Sequence, residues 1–444
     1  MDPQQKIAEL TGFVQKIISW ARDYGADGVS VSASHVIASR MNYEKNDFNL
    51  ATHHEGTGFG LSIHKDQKSG SASINTRDEA KIKETIENAM KMAKFSIPDE
   101  YLTMAPKATY VKLPETYDEK LVELSMKDKR KLLEDMIQTA RQDGRISLDN
   151  ASLDCSYGAR VIGNSNGMLA TDASTTLSWS LMGMAIDGDD ITSFDHISDY
   201  SNYIKGSLDK CLGSARQLKE KLLKCLGARK GQSYKGKILI LPALVEEFLV
   251  DPLIFHIQGV NIMDGKSRFA NGLNQRVAHP NLTIEDHPHD IELRGCTAFS
   301  GEGVPTEKMT IIDGGVIVKQ VDSIYSANRR KTKPTGNGGG PHCTFVPVGQ
   351  HGIESLRNQS GPLLEVGRFS GNVDAISGDF SGVAKGAHLY VGGQYQHPVK
   401  EVMISGNIFD SLKEEIVFGD QQFTEGGSFK IPHALLDLVS VTAG

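Results

Sequence analysis

The chain reads as an α+β protein of two domains. Three observations predict this. Its 444 residues exceed what one ordinary core holds. A helix–antiparallel-strands–helix pattern runs twice through residues 1–227, and past a basic, glycine-containing stretch the pattern becomes short strands punctuated by glycine turns. Residues 1–227 are therefore expected to form an N-terminal α+β domain of two similar helix–antiparallel-sheet–helix units. Residues 238–444 are expected to form a mostly antiparallel β domain built as a curled sheet, a sandwich or a barrel.

In the first unit, Ile7, Leu10, Val14, Ile17, Ile18 and Ala21 recur at helical spacing over 4–23, and Gly25 closes that helix. Strands are predicted at Gly28–Ser34, Val36–Tyr43, Phe48–His54, Gly58–His64 and Ser71–Asn75, with turns at Asn46-Asp47, Glu55–Thr57 and Gln67–Gly70. Phe59, Leu61 and Ile63 alternate as in a sheet with one buried face. Thr76 and Glu79 have capping-box spacing ahead of a helix carrying Ile82, Ile86, Ala89, Met90 and Ala93. An extended connection follows from Pro98 to Pro114.

The second unit opens at Ser125 and Asp128 with a helix whose apolar face is Leu132, Leu133, Met136, Ile137 and Ala140. Strands run from Ile146 to Asp187 around an Asn166-Gly167 hairpin, with Leu177, Trp179 and Leu181 alternating. A closing helix carries Leu208, Leu212, Ala215, Leu222 and Leu226. Gly227–Lys237 reads as the interdomain linker. Beyond it come a strand at Ile238–Leu241, a helix over 243–257 interrupted at Pro252, β structure after Asn271 and a short helix at Phe409–Ile416.

Composition narrows the function classes. A 39% apolar fraction, 23% charged residues and 45 glycines describe a folded, loop-rich protein. A net charge of −7 argues against direct nucleic-acid binding, and the cluster Arg329-Arg330-Lys331 with Lys333 reads as a solvated loop or partner contact. Five well-spaced cysteines without a CxxC pair fit reduced thiols in a cytoplasm. No signal-peptide pattern is read at the start, and no apolar run approaches the ~20 residues that span a bilayer.

Several constellations resemble chemistry and are weighed by spacing. A zinc peptidase needs imidazoles on one helical turn and a carboxylate that takes a proton from the bound water. The only His-Glu pair, His54-Glu55, is followed by Gly58 and Phe59 where a second histidine would stand. Asp286-His287-Pro288-His289-Asp290 offers two imidazoles, and His287, His289 and Cys343 form a weak alternative metal set. Gly163-Asn164-Ser165-Asn166-Gly167 matches GxSxG, but lies between strands and reads as a hairpin rather than a nucleophile elbow. Gly336–Gly340 precedes Pro341, not a helix, so it is no phosphate cradle. Glycine-rich strands at Gly367–Gly382 and His388–Gln394 leave room for an open edge that captures an extended peptide, with Gly378, Asp379, Phe380, Gly392 and Gly393 as contact candidates.

Five segments in order, Gly301–Thr306, Asp313–Val316, Thr335–Gly340, Ser377–Ser381 and Pro398–Asn407, resemble the C-terminal half of the TldD/PmbA family, the family of "modulator of DNA gyrase" proteins and of the TldD–TldE peptidase pair. The family's HExxxH metal signature is missing. The resemblance places the lost motif at His256, with Ile257 for the glutamate and Asn261 for the second histidine, as in the TldE/PmbA branch. It implies a non-catalytic subunit, without its own cofactor, that pairs with a TldD-like, zinc-bearing HExxxH subunit. The heterodimer would degrade extended, unfolded peptides or process peptide-antibiotic precursors, and a homodimer is expected when the partner is absent. Two alternatives stand beside it: a metallopeptidase in its own right with a non-standard site, and a regulatory protein acting on DNA gyrase or a toxin system.

Overall fold

A computed structural model describes residues 2–44, 46–424, 427 and 429–443. Helix α1 (Pro3–Asp23) begins where Asp2 accepts the Gln4 N–H, and it ends at Gly25, whose positive φ turns its N–H back to the Arg22 carbonyl. Strands β1 (Gly28–Glu44), β2 (Asp47–Lys65) and β3 (Lys68–Ile74) precede α2 (Glu79–Phe95). The second unit comprises α3 (Glu119–Val122), α4 (Met126–Ala140), β4 (Ile146–Asn164), β5 (Leu169–Asp187), β6 (Asp190–Ile191), β7 (Asp195–Ser201) and α5 (Ser207–Lys224).

The two units share one sheet. Its order is β3-β2-β1-β4-β5-β6, with β7 also on β5, and every pairing is antiparallel. β1 and β4 join the units, in register from Ser30↔Asn164 to Glu44↔Asn150. One face is covered by helices. α1 and α2 pack Leu10, Val14, Ile17, Ile82 and Ile86 on Val29, Val31, Phe59, Leu61 and Ile63. α4 and α5 pack Leu132, Leu133, Met136, Cys211, Ala215, Leu218 and Leu222 around Trp179, whose indole N–H donates to Ser214 Oγ.

Several expected boundaries move. β1 runs unbroken through His35. β2 runs through Glu55–Thr57, where a turn was expected, because each of those residues pairs with β1. The α2 cap is Asp78, which accepts from Ala80 and Lys81, while Thr76 only accepts from Asp78. On α5, Leu208 is 49% exposed, and the buried stripe is instead Cys211, Ala215, Leu218 and Leu222. The helix start at Ser125 and Asp128 forms as expected, Ser125 Oγ accepting the Asp128 N–H, as does the Asn166-Gly167 turn, with Gly167 at positive φ.

The Gly227–Lys237 stretch is itself partly strand, containing β8 (Arg229–Lys230) and the start of β9 (Tyr234–Ile240). Next come α6 (Pro242–Val245), a π-turn at Glu246–Val250, α7 (Asp251–Ile257) and α8 (Gly259–Met263). They are followed by β10 (Ile284–Asp286), β11 (Met309–Asp313), β12 (Val316–Ile317), α9 (Ile324–Arg330), β13 (Thr344–Phe345) and α10 (Ile353–Arg357). The rest is β14 (Pro362–Val366), β15 (Arg368–Val373), β16 (Asp379–Lys385), β17 (Ala387–Val391), β18 (Gln394–Lys400), β19 (Val402–Asn407), α11 (Ile408–Ser411), β20 (Val417–Phe423) and β21 (Phe429–Ala443). The expected helix at Phe409–Ile416 is thus a single turn, capped by Asn407.

These strands form one mixed sheet around β21 and β9, antiparallel except for the β9–β14, β13–β21 and β8–β18 pairs. Its core wraps α6 to α7 in strand side chains, with Phe248, Leu249 and Leu253 fully buried.

A seam joins the halves. The 98–113 connection runs along α9: Tyr325 donates to Asp99 at 2.7 Å, Asn328 to the Tyr101 carbonyl at 2.8 Å, and Tyr110 to the Gly303 carbonyl at 2.8 Å. Ala105, Ile162, Met168, Phe299 and Ile324 bury a small apolar cluster beneath it.

Candidate peptide cleft and the metal-motif segment

The uncovered face of the N-terminal sheet carries small polar side chains. Strand alternation sends Ser32, Ser34, Gly58, Gly60, Ser73, Ser156, Gly158, Ser174 and Thr176 away from the helices. Pairing lines them up in rows: Ser34, Arg160 and Asp172 across β1, β4 and β5, then Val36, Gly158 and Ser174, then Ala38, Ser156 and Thr176. Loop 294–301 of the other half closes over this face. Two adjoining cavities, of about 470 and 650 Å³, share Ser34 and Arg160.

Arg160 is the fixed point of the cleft. Its guanidinium lies 4.5 Å from the centre of the Phe299 ring, donates to Thr297 Oγ1 at 3.2 Å, and sits 3.6 Å from Asp172. Burial raises the Asp172 carboxyl and lowers the Arg160 guanidinium, each away from its charged form. Arg294, His342 and Cys296 line the opposite wall, and burial pushes the Cys296 thiol up to about 12, which keeps it protonated and unreactive. The cleft thus offers hydroxyls, two guanidiniums and glycine-made space, which suits an extended peptide's carbonyls and carboxylates.

The segment assigned to the lost metal motif is not one helix. α7 ends at Ile257 and α8 starts at Gly259, with Gln258 extended at ψ 127° between them. His256 and Asn261, the positions that the resemblance gives to the lost motif's two histidines, therefore stand on two helices. His256 is fully buried against Phe255, Phe269 and Phe409. Its Nδ1 accepts the Arg268 N–H, and among the described residues its Nε2 has no hydrogen-bond partner. Burial, reinforced by the Arg268 charge, lowers this imidazole to about 4, with the backbone at Ala375 and Ile376 pulling weakly the other way. Ile257 is core, and Asn261 donates to the Phe255 carbonyl and to Gln258.

The alternative set is not assembled either. His287 stacks on Phe345 and bonds Glu285 at 2.6 Å, His289 bonds Thr306 Oγ1 at 3.1 Å, and Cys343 is buried with its thiol pushed up by burial. Among the described residues, no group of three or more His, Cys, Asp and Glu side chains is placed to hold a metal ion.

Of the peptide-contact candidates, Phe380 is corrected: at 2% exposure it packs on Phe248 and Phe369 and cannot present its ring to a ligand. Gly392 and Gly393, both at positive φ, form the two-residue turn between β17 and β18, and β17 is paired on both sides, so His388–Gln394 is no open edge. Among the described residues β15 pairs with β16 alone, while Gly378 and Asp379 stand at the start of β16. His54-Glu55 lies mid-strand, with Glu55 3.5 Å from His35. In the basic cluster, Arg330 is held by Asp322 at 2.7 Å.

Glu246, in the π-turn ahead of α7, is raised from the ordinary 4.5 to about 7 by burial and by Asp251 nearby. The unfolded chain then ionises this carboxyl first, so stability is full below about pH 4.5 and falls as pH rises through 7. Glu246→Gln is expected to remove that slope and gain on the order of 2 kcal/mol at pH 8. Urea unfolding of both proteins at pH 5 and pH 8 tests this, and parallel losses in the two would refute it.

Family models place this architecture. A PmbA/TldA metallopeptidase C-terminal domain matches residues 233–443, the central domain 119–226, and domain 1 residues 29–93. The chain belongs to the PmbA/TldD family. Among this family's curated members, Metalloprotease PmbA of Escherichia coli O157:H7 is 27% identical over 95% of this chain and 93% of its own length. A Metalloprotease PmbA homolog of Haemophilus influenzae is 27% identical over 81% and 80%. Solved PmbA/TldD structures share the fold. A protein described as a modulator of DNA gyrase from Bacteroides thetaiotaomicron superposes at a TM-score of 0.87 with 23% identity over 98% of this chain and 99% of that one. TldE of Thermococcus kodakarensis superposes at 0.86 with 20% identity over 96% and 99%.

The family motifs prove to be structural joints. Glu302 of Gly301–Thr306 accepts the Ile324 N–H at the start of α9, Asp313–Val316 is the β11–β12 turn, and Gly338 of Thr335–Gly340 lies where a Cβ would meet the Ser323 backbone at 2.3 Å. Sequence reading missed the cleft and Arg160. The available signal was the Ser/Gly alternation at 30–34, 58–62 and 156–158.

Proposed function

We propose that this chain is the non-hydrolytic, substrate-holding subunit of a paired PmbA/TldD metallopeptidase. The observation that carries the reading is the α7–α8 break, with His256 enclosed by aromatic rings and Ile257 in the core, where catalysis would need an open imidazole pair and a carboxylate. The Ser/Gly-lined cleft and the β15 edge support the other half of the role, holding a peptide in extended form. A TldD-like subunit with HExxxH would supply the zinc, and two copies of this chain would pair in its absence. Substrates are unfolded peptides, including peptide-antibiotic precursors. No helix among the described residues is long and apolar enough to cross a membrane, and five free cysteines support a reducing cytoplasm.

The test is casein or peptide hydrolysis by this protein alone, by an HExxxH-bearing relative from the same cell alone, and by the mixture, with zinc quantified in each. The expected result is hydrolysis that needs the mixture, with zinc only in the relative. Zinc-dependent hydrolysis by this chain alone would overturn the proposal.

A further inference from the structure

A cavity of about 370 Å³ lies beside α11, away from the Ser/Gly cleft. Its apolar wall is Phe269 and Phe409, and its polar lining is Arg268, Arg276, His279 and Lys413. No carboxylate among the described residues lines it. Among the described residues neither Arg268 nor Arg276 has an ion-pair partner. Among the described residues the Arg268 side chain hydrogen-bonds the Ser377 carbonyl alone, at a long 3.5 Å, and the Arg276 side chain the Gly314 carbonyl alone. Lys413 is held by Asp410, but both side chains are more than 60% exposed, so water and ligands compete for that pair easily.

The cations are positioned rather than loose. The Arg268 guanidinium lies 3.9 Å from the centre of the Phe409 ring. That ring is held by Phe269 and His256 behind it, and by Gly378, where a Cβ would come within 2.3 Å of it. Stacking fixes the plane of the guanidinium and leaves its N–H edge available, the geometry that takes a carboxylate with two parallel hydrogen bonds. His279 Nδ1 accepts the Asn281 N–H, so in the neutral ring the proton sits on Nε2 as a further donor.

We propose that this pocket binds an organic carboxylate whose apolar body is the size of one residue. The arginines and His279 would take the carboxylate, and Phe269 and Phe409 the body. Such a group is the C-terminal residue of a peptide or a free acid of the same shape. The inference does not depend on the pairing proposed above, since a chain that hydrolysed peptides by itself would still carry this pocket.

The experiment is calorimetric titration of the full chain with acetyl-leucine, with acetyl-leucinamide, and with a hexapeptide ending in leucine. The acids are expected to bind at least about tenfold tighter than the amide. Arg276→Gln and Arg268→Gln are each expected to weaken acid binding by about tenfold while leaving amide binding alone. Arg268 also packs on Phe409, so Arg276→Gln, which loses one surface bond to a carbonyl, is the variant that decides. Tighter binding of the hexapeptide than of acetyl-leucine assigns the pocket to peptide ends, and the reverse to small acids. Equal affinity for acid and amide, no binding of either acid, or an unchanged Arg276→Gln would overturn the proposal.

Discussion

Replacing Asp322 with alanine is expected to destabilise the fold by about 3–5 kcal/mol, the cost of stranding a buried charge. Asp322 is 2% exposed. Its carboxylate accepts from Arg330 at 2.7 Å, Ser326 at 2.7 Å and Thr332 at 2.8 Å, and its backbone N–H donates to Thr335 at 3.0 Å. One residue thereby ties α9, the turn after it and the entry to the glycine-rich loop. The start of α8 sits on top, since a Cβ on Gly259 would stand 1.8 Å from Asp322 Oδ1. Alanine leaves the Arg330 guanidinium, itself mostly buried, facing two hydroxyls that cannot neutralise it. Asp322→Asn keeps part of the acceptor set and should cost less than alanine. The check is the urea midpoint at constant slope, and a loss below about 1 kcal/mol for alanine would mean that water replaces the carboxylate.

Phe248→Ala is expected to cost about 3–5 kcal/mol through lost burial and the cavity left behind. Phe248 is fully buried, edge-on to Phe369 at 5.1 Å and tilted on Phe380 at 4.9 Å. The surrounding strands cannot collapse into the gap, because they already touch the rings through glycine. A Cβ on Gly371 or Gly382 would come within 2.7 Å of the Phe369 ring, and one on Gly406 within 3.0 Å of Phe380. Phe248→Leu refills most of the volume and should lose under about 1.5 kcal/mol. Thermal and urea unfolding of the pair distinguish a cavity from a general intolerance of substitution, since equal losses would contradict the packing argument.

That packing explains one misreading of the sequence. Glycines at 371, 378 and 382 suggest strands open to a peptide, but each makes room for a ring, that of Phe369 at 371 and 382 and that of Phe409 at 378. α1 and α4 were legible because local spacing and a local cap carry the whole signal. Glu55–Thr57 was not, because a turn-like tripeptide is held extended by β1 opposite it. The Ser/Gly cleft was illegible for the same reason at longer range. Ser34, Arg160 and Asp172 meet only through strand register, and each strand alone looks like an ordinary solvent face. The metal-motif segment was read correctly as helical with an interruption. The break that separates His256 from Asn261, however, lies at Gln258, six residues beyond the proline that signalled one, and follows a π-turn that no residue type announces.

The central pairing of the C-terminal sheet sets how slowly this protein can acquire its shape. β9 lies between β14 and β21, so Ile238, at the start of that half of the chain, pairs with Leu364 near its middle and with Leu436 near its end. Loop closure of that span precedes the contacts that reward it, which makes the search long and leaves apolar strands unpaired meanwhile. The N-terminal sheet needs one long closure, of β1 on β4, and its other pairings are local hairpins, so it can assemble first. A half-made molecule would then carry a finished N-terminal sheet beside an adhesive, edge-exposed remainder, and such species cluster with one another or recruit chaperones.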